Sequence, residues 1–233
     1  MGKIVKVLLV LAMIALTVPA MADYYLAGDF NGWSANGNIM SDLGGGIYQT
    51  TLQGVGGRHE FKVTMGDWSN NWPWSGNSWF IGDANGNITI TFDTNDNSAD
   101  GWKGGWGRIG VSNDPGTWTA VGDWQGWNNV NPTTAMTSIG GGVYTCSATL
   151  DPGTHYYKAV MTGSWDAIGN DYRSINADNI AFDVTAEKPV AIFYVNALKG
   201  VVKVETTAIP EPASFLALGT MLPIFGLLKK RHY

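Results

Sequence analysis

Four tryptophans and two lysines are the side chains in this sequence best suited to chemistry at a surface. Trp33 and Trp127 end glycine-rich turns, while Trp68 and Trp165 follow glycine just beyond strand-like runs. An indole carried by a turn offers solvent a flat apolar face. Such a face can cover the C–H face of a sugar ring while neighbouring polar groups bond its hydroxyls. A preformed aromatic platform also loses little side-chain entropy on binding. Lys62 and Lys158 each follow an aromatic residue, and strand alternation sets Phe61 and Tyr157 on one face and the lysines on the other. An outward ammonium donates to hydroxyls at little desolvation cost. The competing reading is structural: large aromatics are mostly buried, and these would plug the ends of the folded units.

The six residues belong to a tandem duplication. Gly28-Asp29-Phe30-Asn31-Gly32-Trp33 recurs as Gly122-Asp123-Trp124-Gln125-Gly126-Trp127. Gly44-Gly45-Gly46-Ile47-Tyr48 recurs as Gly140-Gly141-Gly142-Val143-Tyr144, and His59-Glu60-Phe61-Lys62 as His155-Tyr156-Tyr157-Lys158. Gly66-Asp67-Trp68 is answered by Gly163-Ser164-Trp165, and the offset stays between 94 and 97 throughout. Asp29 and Asp123 fall in turns, where Asp commonly caps its own backbone.

The elements around these residues read as short antiparallel strands. Alternating runs lie at 24–27, 46–52, 59–65 and 88–92 in the first copy, with a last strand at 108–111. The second copy gives 117–121, 142–150, 155–161, 180–184, 190–195 and 201–205, the last two closed as a hairpin by residues 196–200. With 31 Gly among 233 residues, turns dominate and helical bundles are excluded. The expected fold is all-β: two tandem Ig-like antiparallel β-sandwich modules, residues 23–112 and 113–208. Trp72, Trp74 and Trp79 are inserted in the first copy alone, and should enlarge its site or build a second contact surface.

The run of motifs resembles carbohydrate-binding module family 48, with the X-modules of pullulanases and SusE/SusF-like starch binders as relatives. That resemblance implies a starch- or glycogen-binding module. It also implies glucan sites at Trp33, Lys62 and Trp68 and at Trp127, Lys158 and Trp165. It covers residues 24–94 and 118–196.

The two ends carry addresses rather than fold. Residues 1–22 combine Lys3 and Lys6, an apolar run and Ala20-Met21-Ala22, the pattern of a signal peptide cut by signal peptidase. Residues 209–233 join Pro210-Glu211-Pro212, an uncharged apolar segment at 213–228 and Lys229-Lys230-Arg231. They resemble a PEP-CTERM sorting signal, which implies an exosortase-type processing enzyme and a Gram-negative host. The segment, a short hydrophobic helix, falls below the roughly 20 residues that span a bilayer unaided. It implies transient inner-membrane anchoring before release to the cell surface or extracellular matrix.

What lies between, residues 23–209, holds 9 Lys and Arg against 18 Asp and Glu, which argues against nucleic acid as a partner. The lone Cys146 excludes an internal disulfide and sits in a strand-like run, where it packs. No nucleophile–base–acid set or zinc spacing emerges, so the chain reads as a non-enzyme with no cofactor and no metal. Asp93-Thr94-Asn95-Asp96-Asn97 matches only the start of a calcium loop, with Ser98 and Gly104 where Gly and Glu belong. The sequence therefore points to an exported polysaccharide binder. The alternative is a structural matrix or surface protein that binds no sugar.

Overall fold

The computed structural model describes residues 23–103, 107–114 and 116–209. The signal peptide and the sorting segment, including Pro210, Glu211 and Pro212, lie outside the described residues. Among those described there is no α-helix, and no helix long and apolar enough to cross a membrane. The first repeat contributes β1 (Tyr25–Gly28), β2 (Asn38–Ile39), β3 (Ser41–Asp42), β4 (Ile47–Leu52), β5 (Arg58–Thr64), β6 (Asn71–Trp72), β7 (Ser78–Ile81), β8 (Ile88–Asp93) and β9 (Arg108–Val111). The second contributes β10 (Trp118–Gly122), β11 (Thr137–Gly140), β12 (Val143–Thr149), β13 (Gly153–Met161), β14 (Asp166–Gly169), β15 (Tyr172–Ile175), β16 (Ile180–Val184), β17 (Val190–Asn196) and β18 (Val201–Thr207).

The strands form four small antiparallel sheets. Sheet I is β2-β1-β5-β6 with β7 also on β5, and sheet II is β3-β4-β8-β9. Sheet III is β10-β13-β14-β15 with β16 also on β13, and sheet IV is β11-β12-β17-β18. Alternation sets the inner faces: along β8, Ile88, Ile90 and Phe92 are buried while Thr89, Thr91 and Asp93 are half-buried. Those residues meet Leu26, Phe61 and Val63 between sheets I and II. Ala120, Tyr157, Ala159, Phe193 and Val195 fill the space between sheets III and IV.

The repeats do not stand as two Ig-like sandwiches. The sheets close a circuit, a propeller-like ring of four small sheets. Sheets I and III join where the Ile175 N–H donates to the Asn77 carbonyl at 3.0 Å. Sheets II and IV join where the Val111 N–H donates to Leu198 O and the Lys103 N–H to Val202 O, both at 2.8 Å. Trp79, fully buried on β7, enters the core of the other repeat. Its indole lies 6.0 Å from that of Trp118, its N–H donates to Ala167 O at 3.3 Å, and the Arg173 guanidinium sits 4.5 Å over its face. Asp166 takes two bonds from Arg58, each 2.6 Å, across the same junction. The expected sandwiches fail because β6, β7, β14 and β15 lie in Trp-, Gly- and Ser-rich stretches with little alternation, and these strands supply the joining faces.

Candidate functional site

Each platform begins with a turn that only one pattern of residues can make. A Cβ on Gly28 would come within 2.6 Å of the Glu60 carbonyl oxygen, so the chain needs glycine there. Gly32 then adopts φ 63° and Trp33 φ 61°, and the Trp33 N–H returns to Gly28 O at 2.8 Å. In the second repeat Gly126 has φ 67° and Trp127 φ 57°, with the Trp127 N–H on Gly122 O at 3.0 Å. A left-handed conformation costs a non-glycine residue about 1–2 kcal/mol, so surrounding bonds must hold these tryptophans in place. Asn31 supplies some of them, accepting from the Gly28 and Ser34 N–H groups and donating to Leu26 O. Gln125 does the same work, donating to Ala120 O and Asn128 O.

Asp29 and Asp123 also hold the turns, and they reach the adjoining strands, while Asp123 bonds its own backbone N–H as well. Asp29 accepts from the Glu60 N–H at 3.1 Å and pairs with His59 Nδ1 at 2.7 Å. Asp123 accepts from the Tyr156 N–H at 2.7 Å and pairs with His155 Nδ1 at 2.9 Å. Nε2 of His155 faces the Asp151 carbonyl at 2.9 Å, so both ring nitrogens meet acceptors. Burial opposes the imidazolium, but the Asp151 carbonyl and the Asp123 carboxylate outweigh it and raise the His155 pKa above its ordinary value. Motif reading treated each aspartate and histidine separately and so missed the pair. The signal was their recurrence together, 30 residues apart in one repeat and 32 in the other.

The second set of site residues comes together as a trio, while in the first the two indoles meet and the lysine bonds the inserted stretch. In the first repeat the Trp33 and Trp68 rings lie 6.4 Å apart, tilted by 42°. Lys62 Nζ donates to Pro73 O at 2.6 Å, and burial lowers its pKa. In the second, Lys158 Nζ sits 5.8 Å from the Trp127 ring and 5.7 Å from that of Trp165. It donates to Ala177 O at 2.9 Å, and burial lowers its pKa against the opposing pull of Asp171 and Asp178. Trp68 and Trp165 remain 46% and 41% exposed. The lysines face away from the sheet cores as alternation requires, yet Lys158 is only 9% exposed because the indoles and the Ala177 loop cover it.

The inserted tryptophans divide. Trp79 and Trp72 are buried, Trp79 wholly so, and only Trp74, at 68% exposure, can extend a contact surface. Trp124 is packed flat on Phe193 at 4.7 Å, a core role. Cys146 donates to Thr134 O, and burial pushes its thiol pKa up to about 12. Among the described residues no group of His, Cys, Asp and Glu could hold a metal ion. Asp93 spends its carboxylate on the Asn95 N–H and the Asn97 amide. What the platforms can do is stack against an apolar face and donate hydrogen bonds beside it, since each ammonium has three donors and shows one bond to a backbone carbonyl.

Residues 116–201 match the family described as the pullulanase X25 domain. The match takes in Trp127, Lys158 and Trp165 and leaves the first repeat outside. Among solved structures, SusF from Bacteroides thetaiotaomicron is 16% identical over 81% of this chain, with a TM-score of 0.29. Pullulanase from Bacillus acidopullulyticus is 9% identical over 78% of this chain, also with a TM-score of 0.29. The alignments take up 49% of the SusF chain and 28% of the pullulanase chain. No curated protein sequence matches.

Proposed function

We propose that this protein is a non-catalytic polysaccharide-binding protein that takes α-glucan, of the starch or glycogen kind, on two aromatic platforms. Trp33, Lys62 and Trp68 make one, and Trp127, Lys158 and Trp165 the other. The observation that carries the reading is the duplicated Trp–Lys–Trp set, held by a bonded turn in each repeat and left partly open to solvent. The match of residues 116–201 to a pullulanase domain supports a carbohydrate ligand. An indole face covers the C–H face of a glucose unit, and the lysine donates to its hydroxyls. Two such sites on one chain gain avidity where a polymer reaches both.

The same reading takes the protein outside the cell. Signal peptidase removes residues 1–22, and an exosortase-type enzyme acts at Pro210-Glu211-Pro212 after transient anchoring in the inner membrane. Residues 23–112 and 113–208 are then the two binding units at the surface or in the matrix. Native gel electrophoresis in soluble starch or glycogen tests the binding claim. The intact protein should be retarded, and replacing Trp33, Trp68, Trp127 and Trp165 together by Ala should abolish the retardation. Free migration of the wild type in both polymers would rule the function out.

A further inference from the structure

Between the two repeats runs a cleft that neither platform accounts for. One wall is Pro73 and Trp74 from the first repeat, and the other is Asn170, Asp171 and Tyr172 from the second. Its volume is about 370 Å³, within the roughly 300–1,000 Å³ of small-molecule sites. Trp74 is the most exposed indole named in either repeat, at 68%, and it meets the buried Trp72 edge-on at 5.7 Å. Tyr172 holds φ 61°, a conformation that bulky residues rarely adopt and that concentrates at binding sites. An indole and a phenol beside an amide and a carboxylate are the mixture that recognises a sugar ring, apolar on its face and hydroxylated at its edge.

The walls are fixed before any ligand arrives. Ser174 Oγ donates to Ser75 O at 3.1 Å, and the Ile175 N–H to Asn77 O at 3.0 Å, so the two sides are stitched together beneath the cleft. The Asn170 N–H donates to Asp178 O at 2.7 Å and the Asp178 N–H to Asp171 Oδ1 at 2.8 Å, closing the 170–178 loop. Each wall is also tied to a platform lysine. Lys62 bonds the carbonyl of Pro73 in one wall, and Lys158 bonds Ala177 in the loop that carries the other.

We infer that this cleft is a third sugar-binding position, joining the two platforms so that one polysaccharide chain runs across both repeats. The inference rests on the platform reading above and extends it to chain length: a polymer gains contacts that a short oligosaccharide lying on one platform does not. The test is calorimetric titration of the intact protein and its Trp74→Ala variant with soluble amylose and, separately, with maltotriose. Trp74→Ala should weaken amylose binding by about five- to tenfold and leave maltotriose affinity unchanged. Asn170→Ala, at an exposed position, should shift amylose binding the same way by less, and it carries the test if the first variant misfolds. Amylose binding unchanged in both variants, or amylose and maltotriose weakened equally, would overturn the cleft and leave the platforms standing. A wild type that binds neither ligand would overturn the platforms and the cleft together.

Discussion

The two platforms are copies that have settled into different arrangements. In the second repeat Lys158 lies over both indoles, nearly equidistant, and is almost wholly covered. In the first repeat the indoles approach each other at 6.4 Å, and Lys62 turns to Pro73, a residue of the inserted stretch. The turn beneath is the same in both, from the glycine that admits no Cβ to the aspartate–histidine pair. A conserved cradle thus fixes where the aromatic face stands, and the segment after the strand decides how its lysine is used. The difference leaves the second platform closed around its lysine and ties the first to the inserted stretch.

The strongest way to break that comparison is to separate the repeats. Trp79→Ala removes the side chain that the first repeat buries in the second, and should cost about 3–5 kcal/mol. Urea unfolding should then change from one transition to two, whereas a single unshifted transition would mean that Trp79 is not what couples the repeats. Asp166→Asn removes the carboxylate charge and one of the two acceptors that Arg58 meets at the same junction. Because Arg58 is 36% exposed, the loss should be about 1–2 kcal/mol, below that of Trp79. Lys158→Met should destabilise by about 1 kcal/mol through the orphaned Ala177 carbonyl, and Lys62→Met by less, since Lys62 is half-buried. Equal losses in thermal melts of the two variants would erase the asymmetry between the platforms.

The smallest effect is a pH dependence carried by His155. Its folded pKa is raised, so the stability it adds is complete below its unfolded value of about 6.5 and drains away as pH rises through the folded value. The melting temperature should therefore fall as pH rises past about 6.5, and His155→Gln should flatten that part of the profile. A variant with the wild-type slope would remove the imidazolium from the second turn.

Much of this was legible in the sequence because duplication marks what recurs. The long strands such as β8 and β13 declare themselves by alternation, and the duplication pairs the six residues proposed for the platforms. The joining strands were hidden because β7 reads Ser-Trp-Phe-Ile with three of four residues buried, a pattern set by burial on both faces rather than alternation. Trp79 looked like a surface residue for the same reason: its burial depends on a repeat about 40 residues further along. The aspartate–histidine pairs escaped because a contact between two strands leaves no local spacing to read. The lysine's burial escaped because alternation gives the face of a side chain and not what closes over it.

The central claim is that each repeat carries a sugar site built on its own tryptophans. Titration of the intact protein with maltotriose, read as stoichiometry, tests it most directly against the double variants Trp33→Ala/Trp68→Ala and Trp127→Ala/Trp165→Ala. Each double variant should lose the site of its own repeat and keep that of the other. A stoichiometry unchanged in both variants, or no maltotriose bound by the wild type, would contradict it.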